Sequence, residues 1–175
     1  TEGEIARMLA ACKNTREKAL LAILIYTGLR NKELCKLKTE DVDIGNQNVR
    51  VIEGKGSKDR VVYFTSECGQ MVSEYKSEYK PNHILFYTLV MHNPYNGWAL
   101  RKMVKVVAKR VGIRKRVYPH LFRHSLACNL LNRGANIMTI QALLGHSDIR
   151  TTMIYAKSSP QRVKQEYLFY NPSYL

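Results

Sequence analysis

Residues 48–64, NVRVIEGKGSKDRVVYF, decide the fold class. Two β-branched runs, Asn48-Val49-Arg50-Val51-Ile52 and Arg60-Val61-Val62-Tyr63-Phe64, flank a turn-rich segment, residues 53–59, that carries two glycines and two lysines. Branched runs on either side of such turn residues predict a β-hairpin, here with a basic tip. Outward from it the chain reads as helix. Thr1-Glu2-Gly3-Glu4 has the form of a capping box opening a helix to about Cys12. A second helix begins near Thr15 and carries an apolar run to Tyr26, with Gly28 as its stop. Residues 31–37 give a short third helix, and Ser66 to Tyr79 another. Ile84-Leu85-Phe86 is expected as a short third strand.

From Trp98 onward the pattern is helical. Leu100, Met103, Val104, Val107 and Val111 form one apolar stripe. Pro119 opens the next helix at its favoured first-turn position, with Leu121, Leu126, Leu130 and Leu131 expected inward and Gly134 as its end. Asn136 caps a helix through Leu144 that Gly145 ends, and Asp148 caps a last one running past Tyr155. The expected fold is one mainly helical α+β domain over residues 1–175 with a single small antiparallel sheet, and neither a repeat nor a composition break divides it.

The chain has 175 residues and 20.2 kDa, the size of one domain. Apolar residues at 45% and charged residues at 24% argue against disorder and low complexity. The longest apolar run, residues 19–26, is eight residues, against the ~20 that a helix needs to span a bilayer. Cys12, Cys35, Cys68 and Cys128 form no CxxC pair, so neither a zinc ribbon nor a disulfide framework is indicated. They read as buried or half-buried thiols in a reducing, intracellular compartment, consistent with the lack of a signal-peptide pattern at the start. A net charge of +14 points to a polyanionic partner. Because the cations recur along the chain, they predict a folded basic face and not a tail.

Arg30, Lys55, His120, Arg123, His146 and Tyr155 fall at helix starts, the hairpin tip and loop edges, where a site is assembled. Each alone has an ordinary explanation. His120 and His124, at i and i+4, have the spacing of zinc proteases, but the general-base position is Leu121 and the cationic Arg123 shares the face, so no metal is expected. Gly54-Lys55-Gly56 lacks the earlier glycine (Val49) and the Ser or Thr (Gly56) of a Walker A loop, so no nucleotide cofactor is expected.

Taken together the group suits metal-free transfer at a phosphodiester. A phenol with a pKa near 10 is only about 0.1% ionised at neutral pH and needs a base or a positive setting to attack phosphorus. Two arginines can fork onto the non-bridging oxygens and hold transition-state charge. Lys55 can protonate the sugar oxygen that leaves, His120 can take the phenolic proton and His146 can hydrogen-bond the phosphate. One phosphoester replaces another, so neither ATP nor metal is required.

These segments resemble the catalytic domain of the tyrosine recombinase (phage integrase) family, its Xer-like members in particular. The matching stretches are residues 26–34 (YTGLRNKEL), 54–60 (GKGSKDR), 120–125 (HLFRHS), 143–147 (LLGHS) and 151–155 (TTMIY), in the family's order, with Tyr155 nine residues after His146. The resemblance implies that Arg30 and Arg123 are the two family arginines, Lys55 the hairpin lysine, His120 and His146 the histidine positions, and Tyr155 the nucleophile. The tyrosine would join the 3′ phosphate and free a 5′ hydroxyl that attacks a partner strand. Glu33 matches a supporting acidic position, Lys58 is a minor rival for the acid role, and Lys58 and Arg60 are expected to contact DNA. The implied partners are double-stranded DNA and, for the full-length protein, further copies forming a tetramer on paired sites, in the cytoplasm or nucleoid of a host cell. Nothing here corresponds to the family's N-terminal core-binding domain, so the expectation is a catalytic fragment whose residues 161–175 dock on a neighbouring protomer or fold back. Two alternatives are a type IB topoisomerase-like nicking and resealing enzyme and a DNA-binding regulator without chemistry.

Overall fold

The second helix organises the core. In a computed structural model that describes residues 1–52, 59–88 and 93–145, α1 spans Glu2–Ala10 and α2 spans Thr15–Thr27. The run from Ala19 to Leu24 in α2 is buried on every side. A helix that is apolar all round can be stable in water only at the centre of its domain. Asn14 caps its start by accepting the Glu17 N–H at 2.8 Å, and Gly28 ends it in the left-handed region at φ +63°. α3 (Asn31–Lys36) follows at once, then a 3-10 turn (Thr39–Asp41) and the three strands β1 (Val42–Asp43), β2 (Asn48–Val51) and β3 (Arg60–Tyr63). α4 (Ser66–Tyr79), α5 (Gly97–Arg110), α6 (Pro119–Asn132) and α7 (Ile137–Leu144) complete the described elements. α4 and α6 make the most extensive helix contacts with α2.

The capping box at Thr1 and Glu4 is present, although α1 ends at Ala10, short of Cys12. The hairpin also forms where expected: β2 and β3 pair antiparallel, with Val49 opposite Val62 and Val51 opposite Arg60. Val49, Val51 and Val62 face the core. The third strand is not Ile84-Leu85-Phe86 but Val42–Asp43, which pairs with Val49 and Asn48. Ile84 makes only an isolated bridge to Lys38. Leu85 and Phe86 are fully buried, yet the Tyr75 hydroxyl of α4 donates to the Leu85 carbonyl at 2.8 Å and the Phe86 ring packs against Tyr75. A helix side chain thus takes an acceptor that a strand ladder would have used.

The inward face of α6 also differs from the stripe expected. Phe122, Arg123, Ala127 and Leu131 are buried, whereas Leu121, Leu126 and Leu130 are half-buried. The helix bridges two apolar clusters: Phe122 and Leu121 belong to the main core, while Ala127 and Leu131 join Ile140 and Leu144 of α7, with Leu126 and Leu130 alongside. Serving two clusters, it has no single face.

Cys68 is buried and Cys12, Cys35 and Cys128 are half-buried. Burial pushes the Cys68 thiol up to about 12 and those of Cys12 and Cys35 to about 11, so they stay protonated and unreactive. Among the described residues no helix is long and apolar enough to cross a membrane. The hairpin tip with Lys55 and Lys58, the segment with His146 and Tyr155, the helix expected after Asp148 and residues 161–175 lie outside the described residues.

At Gly28 an added Cβ would meet Leu126 Cδ2 at 3.0 Å and Leu144 Cδ2 at 3.1 Å while holding a positive φ. Gly28→Ala is therefore expected to cost about 2 kcal/mol from the left-handed conformation and the crowding together. Urea denaturation checks this, and an unchanged midpoint would contradict the assigned turn.

Candidate active site

Arg30 emerges from the turn that Gly28 makes. The helix stops, the chain extends through Leu29, and Arg30 (φ −67°, ψ 150°) sits just before the first residue of α3. Its backbone N–H donates to Glu33 Oε2 at 2.7 Å and its Nη1 to Glu33 Oε1 at 2.8 Å. Glu33, three residues into α3, thereby closes the helix start and fixes the arginine with one carboxylate. Its side chain is 11% exposed, against 40% for Arg30.

A second guanidinium shares that carboxylate. Arg60 opens β3 and donates from Nη1 to Glu33 Oε1 at 3.0 Å and from Nη2 to Glu33 Oε2 at 2.8 Å. Its Nε reaches the Leu143 carbonyl at 3.3 Å. Arg60 was expected to contact DNA, but the structure turns it inward, its side chain only 8% exposed. The alternation of β3 accounts for this: Arg60 and the core residue Val62 share a face of the strand, and Glu33 supplies the anion that lets the cation stay there.

The third arginine comes from α6. Arg123 is 1% exposed, with Nη1 donating to the Gly28 carbonyl at 2.9 Å and Nη2 to the Leu144 carbonyl. Arg30 Nη2 donates to the next carbonyl, that of Gly145, at 2.9 Å. The last carbonyls of α7, at residues 143, 144 and 145, are thus held by Arg60, Arg123 and Arg30 in turn. Cations are favoured there, at the negative end of a helix whose final acceptors lack intrahelical donors. Gly145 (φ +64°) makes room for the arrangement, since a Cβ there would lie 2.7 Å from Arg60 Cδ.

His120 lies one turn before Arg123 on α6, in the helix's first turn and exposed. With Arg30, Glu33, Arg101 and Tyr118 it lines a cavity of about 390 Å³. Desolvation, then the charges of Arg123, His124 and Arg30, hold its imidazole below the ordinary histidine value. The positive end of the α6 dipole acts in the same direction. The ring is therefore neutral at pH 7 and has a lone pair to accept a proton.

Arg101 and Tyr118 also line a larger groove of about 830 Å³ between α5 and the segment after it, with Lys105, Lys109, Arg114, Lys115 and Arg116. This is the folded basic face that the charge distribution implied, and it runs into the His120 cavity. Of the residues expected at the site, Arg30, Glu33, His120 and Arg123 come together; Lys55, Lys58, His146 and Tyr155 lie outside the described residues. The partnership of Arg60 with Glu33 and the role of Gly145 were missed. The signal for the first was present in the two-residue period that pairs position 60 with Val62.

Residues 1–162 match the phage integrase family profile. The chain belongs to the phage integrase family. Tyrosine recombinase XerA of Saccharolobus solfataricus is 37% identical over 167 residues, covering 95% of this chain and 54% of the relative. The chain spans about half the length of the curated relatives it matches. Among solved structures, XerA recombinase superposes with a TM-score of 0.86 at 34% identity, over 99% of this chain and 65% of the other. The catalytic domain of bacteriophage HP1 integrase gives 0.72 at 26%, over 98% of this chain and 94% of that domain. The phage integrase fold is therefore that of this chain: seven described helices and a small antiparallel sheet.

The depressed His120 value has a consequence for stability. The unfolded chain, with a histidine near 6.5, binds that proton more tightly than the folded one. The contribution is complete above about 6.5 and is lost as pH falls below it toward the folded value. His120→Asn should flatten the decline in stability on the acid side of neutrality, and an NMR titration should place the His120 midpoint below the ordinary value. A midpoint at or above the ordinary value would refute the assigned environment.

Proposed function

We propose that this chain is the catalytic domain of a site-specific DNA recombinase that breaks and rejoins strands without metal through a 3′-phosphotyrosine intermediate. The observation that carries the reading is the convergence of Arg30 and Arg123, from segments far apart in the chain, on the α7 end that leads into His146, beside a neutral His120. Curated relatives that the chain matches over about half of their own length are named tyrosine recombinases, which favours exchange over the nick-and-reseal reading of a topoisomerase. A regulator that only bound DNA would have no use for an unprotonated imidazole beside fixed guanidiniums.

In the proposed reaction Arg30 and Arg123 donate to the non-bridging oxygens of the scissile phosphate and hold the charge that grows on them. The Tyr155 oxygen attacks phosphorus while its proton passes to His120. The P–O5′ bond breaks, and Lys55 gives its proton to the departing 5′ oxygen, a poorer leaving group than phenol. His146 hydrogen-bonds the phosphate. The reverse sequence, with the 5′ hydroxyl of a partner strand as nucleophile, releases Tyr155 and joins the strands. Double-stranded DNA is the partner, its backbone following the groove from Arg101 to Lys115 into the His120 cavity. Full-length copies assemble as a tetramer on paired sites inside the host cell, with residues 161–175 docking on a neighbour.

A covalent-adduct assay tests this. The protein is incubated in EDTA with end-labelled nicked duplexes from a fragmented source genome, and an SDS-resistant, protease-sensitive species is expected from the parent and not from Tyr155→Phe. Adduct surviving in the mutant would refute the nucleophile. DNA affinity should fall with salt with a log–log slope of about −0.9 for each phosphate neutralised. Rejoining should require two sites; single-site resealing would restore the topoisomerase reading.

A further inference from the structure

We infer that Arg60 is a positioning residue for the strand-transfer reaction, holding the Glu33 carboxylate so that Arg30 keeps both its direction and its positive charge for the phosphate. The inference rests on the recombinase reading above. Three observations carry it.

The first is the geometry of one carboxylate. Glu33 Oε1 accepts from Nη1 of Arg30 at 2.8 Å and from Nη1 of Arg60 at 3.0 Å. Oε2 accepts from the Arg30 backbone N–H at 2.7 Å and from Nη2 of Arg60 at 2.8 Å. The Arg60 fork grips both oxygens, so the carboxylate cannot rotate without breaking a bidentate pair. Arg30, by contrast, is the most exposed of the three arginines that hold the α7 end. A long exposed side chain samples many rotamers unless its partner is fixed. The anchoring therefore runs from the buried arginine through Glu33 to the exposed one.

The second is charge. Glu33 paired with Arg30 alone would cancel it one for one and weaken its pull on a phosphate. With Arg60 on the same carboxylate, Glu33 is shared between two guanidiniums and does not pair with Arg30 one for one, and Arg30 lines the cavity that also holds His120. Arg60 spends its fork on Glu33 and its Nε on the Leu143 carbonyl.

The third is connection. Arg60 opens the strand that follows the Lys55 segment, and its Nε holds the Leu143 carbonyl, two residues before the Gly145 carbonyl that Arg30 holds. Its stem fills the space that Gly145 leaves, where a Cβ would lie 2.7 Å from Cδ. One side chain thus ties β3, α3 and the end of α7. A lysine keeps the charge but cannot make a fork and a third N–H bond at once.

The test uses full-chain Arg60→Lys and Arg60→Gln, each checked for a cooperative thermal transition. Two readouts follow: the single-turnover rate of adduct formation at saturating DNA, and the NMR Nε–Hε signal of Arg30 without DNA. The expected result is a rate loss of roughly tenfold to a hundredfold for Arg60→Lys, larger for Arg60→Gln, with the DNA Kd within about twofold. The Arg30 signal should move to the position of a freely averaging arginine in both. A rate that is unchanged, or that falls only through weaker DNA affinity, would overturn the proposal, the second result making Arg60 a DNA contact. If the parent forms no adduct on any substrate, the recombinase reading fails, and the Arg30 signal still decides whether Arg60 positions it. Should neither variant fold, Gly145→Ala presses on the Arg60 stem with Arg60 intact; an Arg30 signal unmoved by it would equally overturn the assignment.

Discussion

The end of α7 is the point on which this domain depends. A helix C-terminus leaves carbonyls without donors, and here three successive ones are taken by Arg60, Arg123 and Arg30, reaching in from β3, α6 and the start of α3. Backbone carbonyls are partial charges. They satisfy the N–H groups of a buried guanidinium without cancelling its formal charge, as a carboxylate would. The chain carries +14, and self-repulsion on that scale opposes a compact state. Of the three arginines held by the helix end, Arg30 is 40% exposed while Arg60 and Arg123 are enclosed. Glu33 is the one exception among these contacts, and it is divided between two arginines.

The same contacts join parts that apolar packing leaves separate. Among the described residues, α7 and the second half of α6 form a small cluster of their own around Ala127, Leu131, Ile140 and Leu144. The main core gathers on α2, with the sheet and α4 packed to it. Arg123 stands at the border: its neighbour Phe122 belongs to the main core, while its guanidinium spans from the Gly28 carbonyl, at the end of α2, to the Leu144 carbonyl, at the end of α7. A methyl-lined joint would tolerate sliding. Directional hydrogen bonds to fixed carbonyls do not, so the relative placement of the two clusters is set where the proposed chemistry needs it.

Much of this was legible from residue order because local rules and tertiary context agreed. The apolar run of α2, the glycines at positions 28 and 145 and the branched strands of the hairpin each obey a rule that acts within a few residues. Where context overrode such rules, the reading failed. Val42–Asp43 is too short to show a period, and Ile84-Leu85-Phe86 looks like a strand but is buried coil whose carbonyl Tyr75 takes. The leucines of α6 promised one inward face because nothing local says that a helix serves two clusters. Arg60 is expected at DNA from the resemblance of its hairpin segment, and the structure places its side chain on Glu33. The position of Arg60 in the strand outweighed its charge once Glu33, distant in sequence, supplied a partner.

The surroundings of His120 show how one set of charges can serve two ends. A general base near phosphorus has to be unprotonated at neutral pH, while a phosphate site has to be positive. Nearby cations meet both requirements at once, since they lower the imidazole's affinity for a proton and attract the phosphate. Placed in the first turn of α6, one turn before Arg123 and lining the same cavity as Arg30, the imidazole is disfavoured as a cation by the groups that favour the phosphate. In the proposed reaction a bound phosphate's negative charge would offset the arginines and raise the proton affinity of His120. In that reaction the groups that attract the phosphate are also the ones that keep His120 ready to accept a proton.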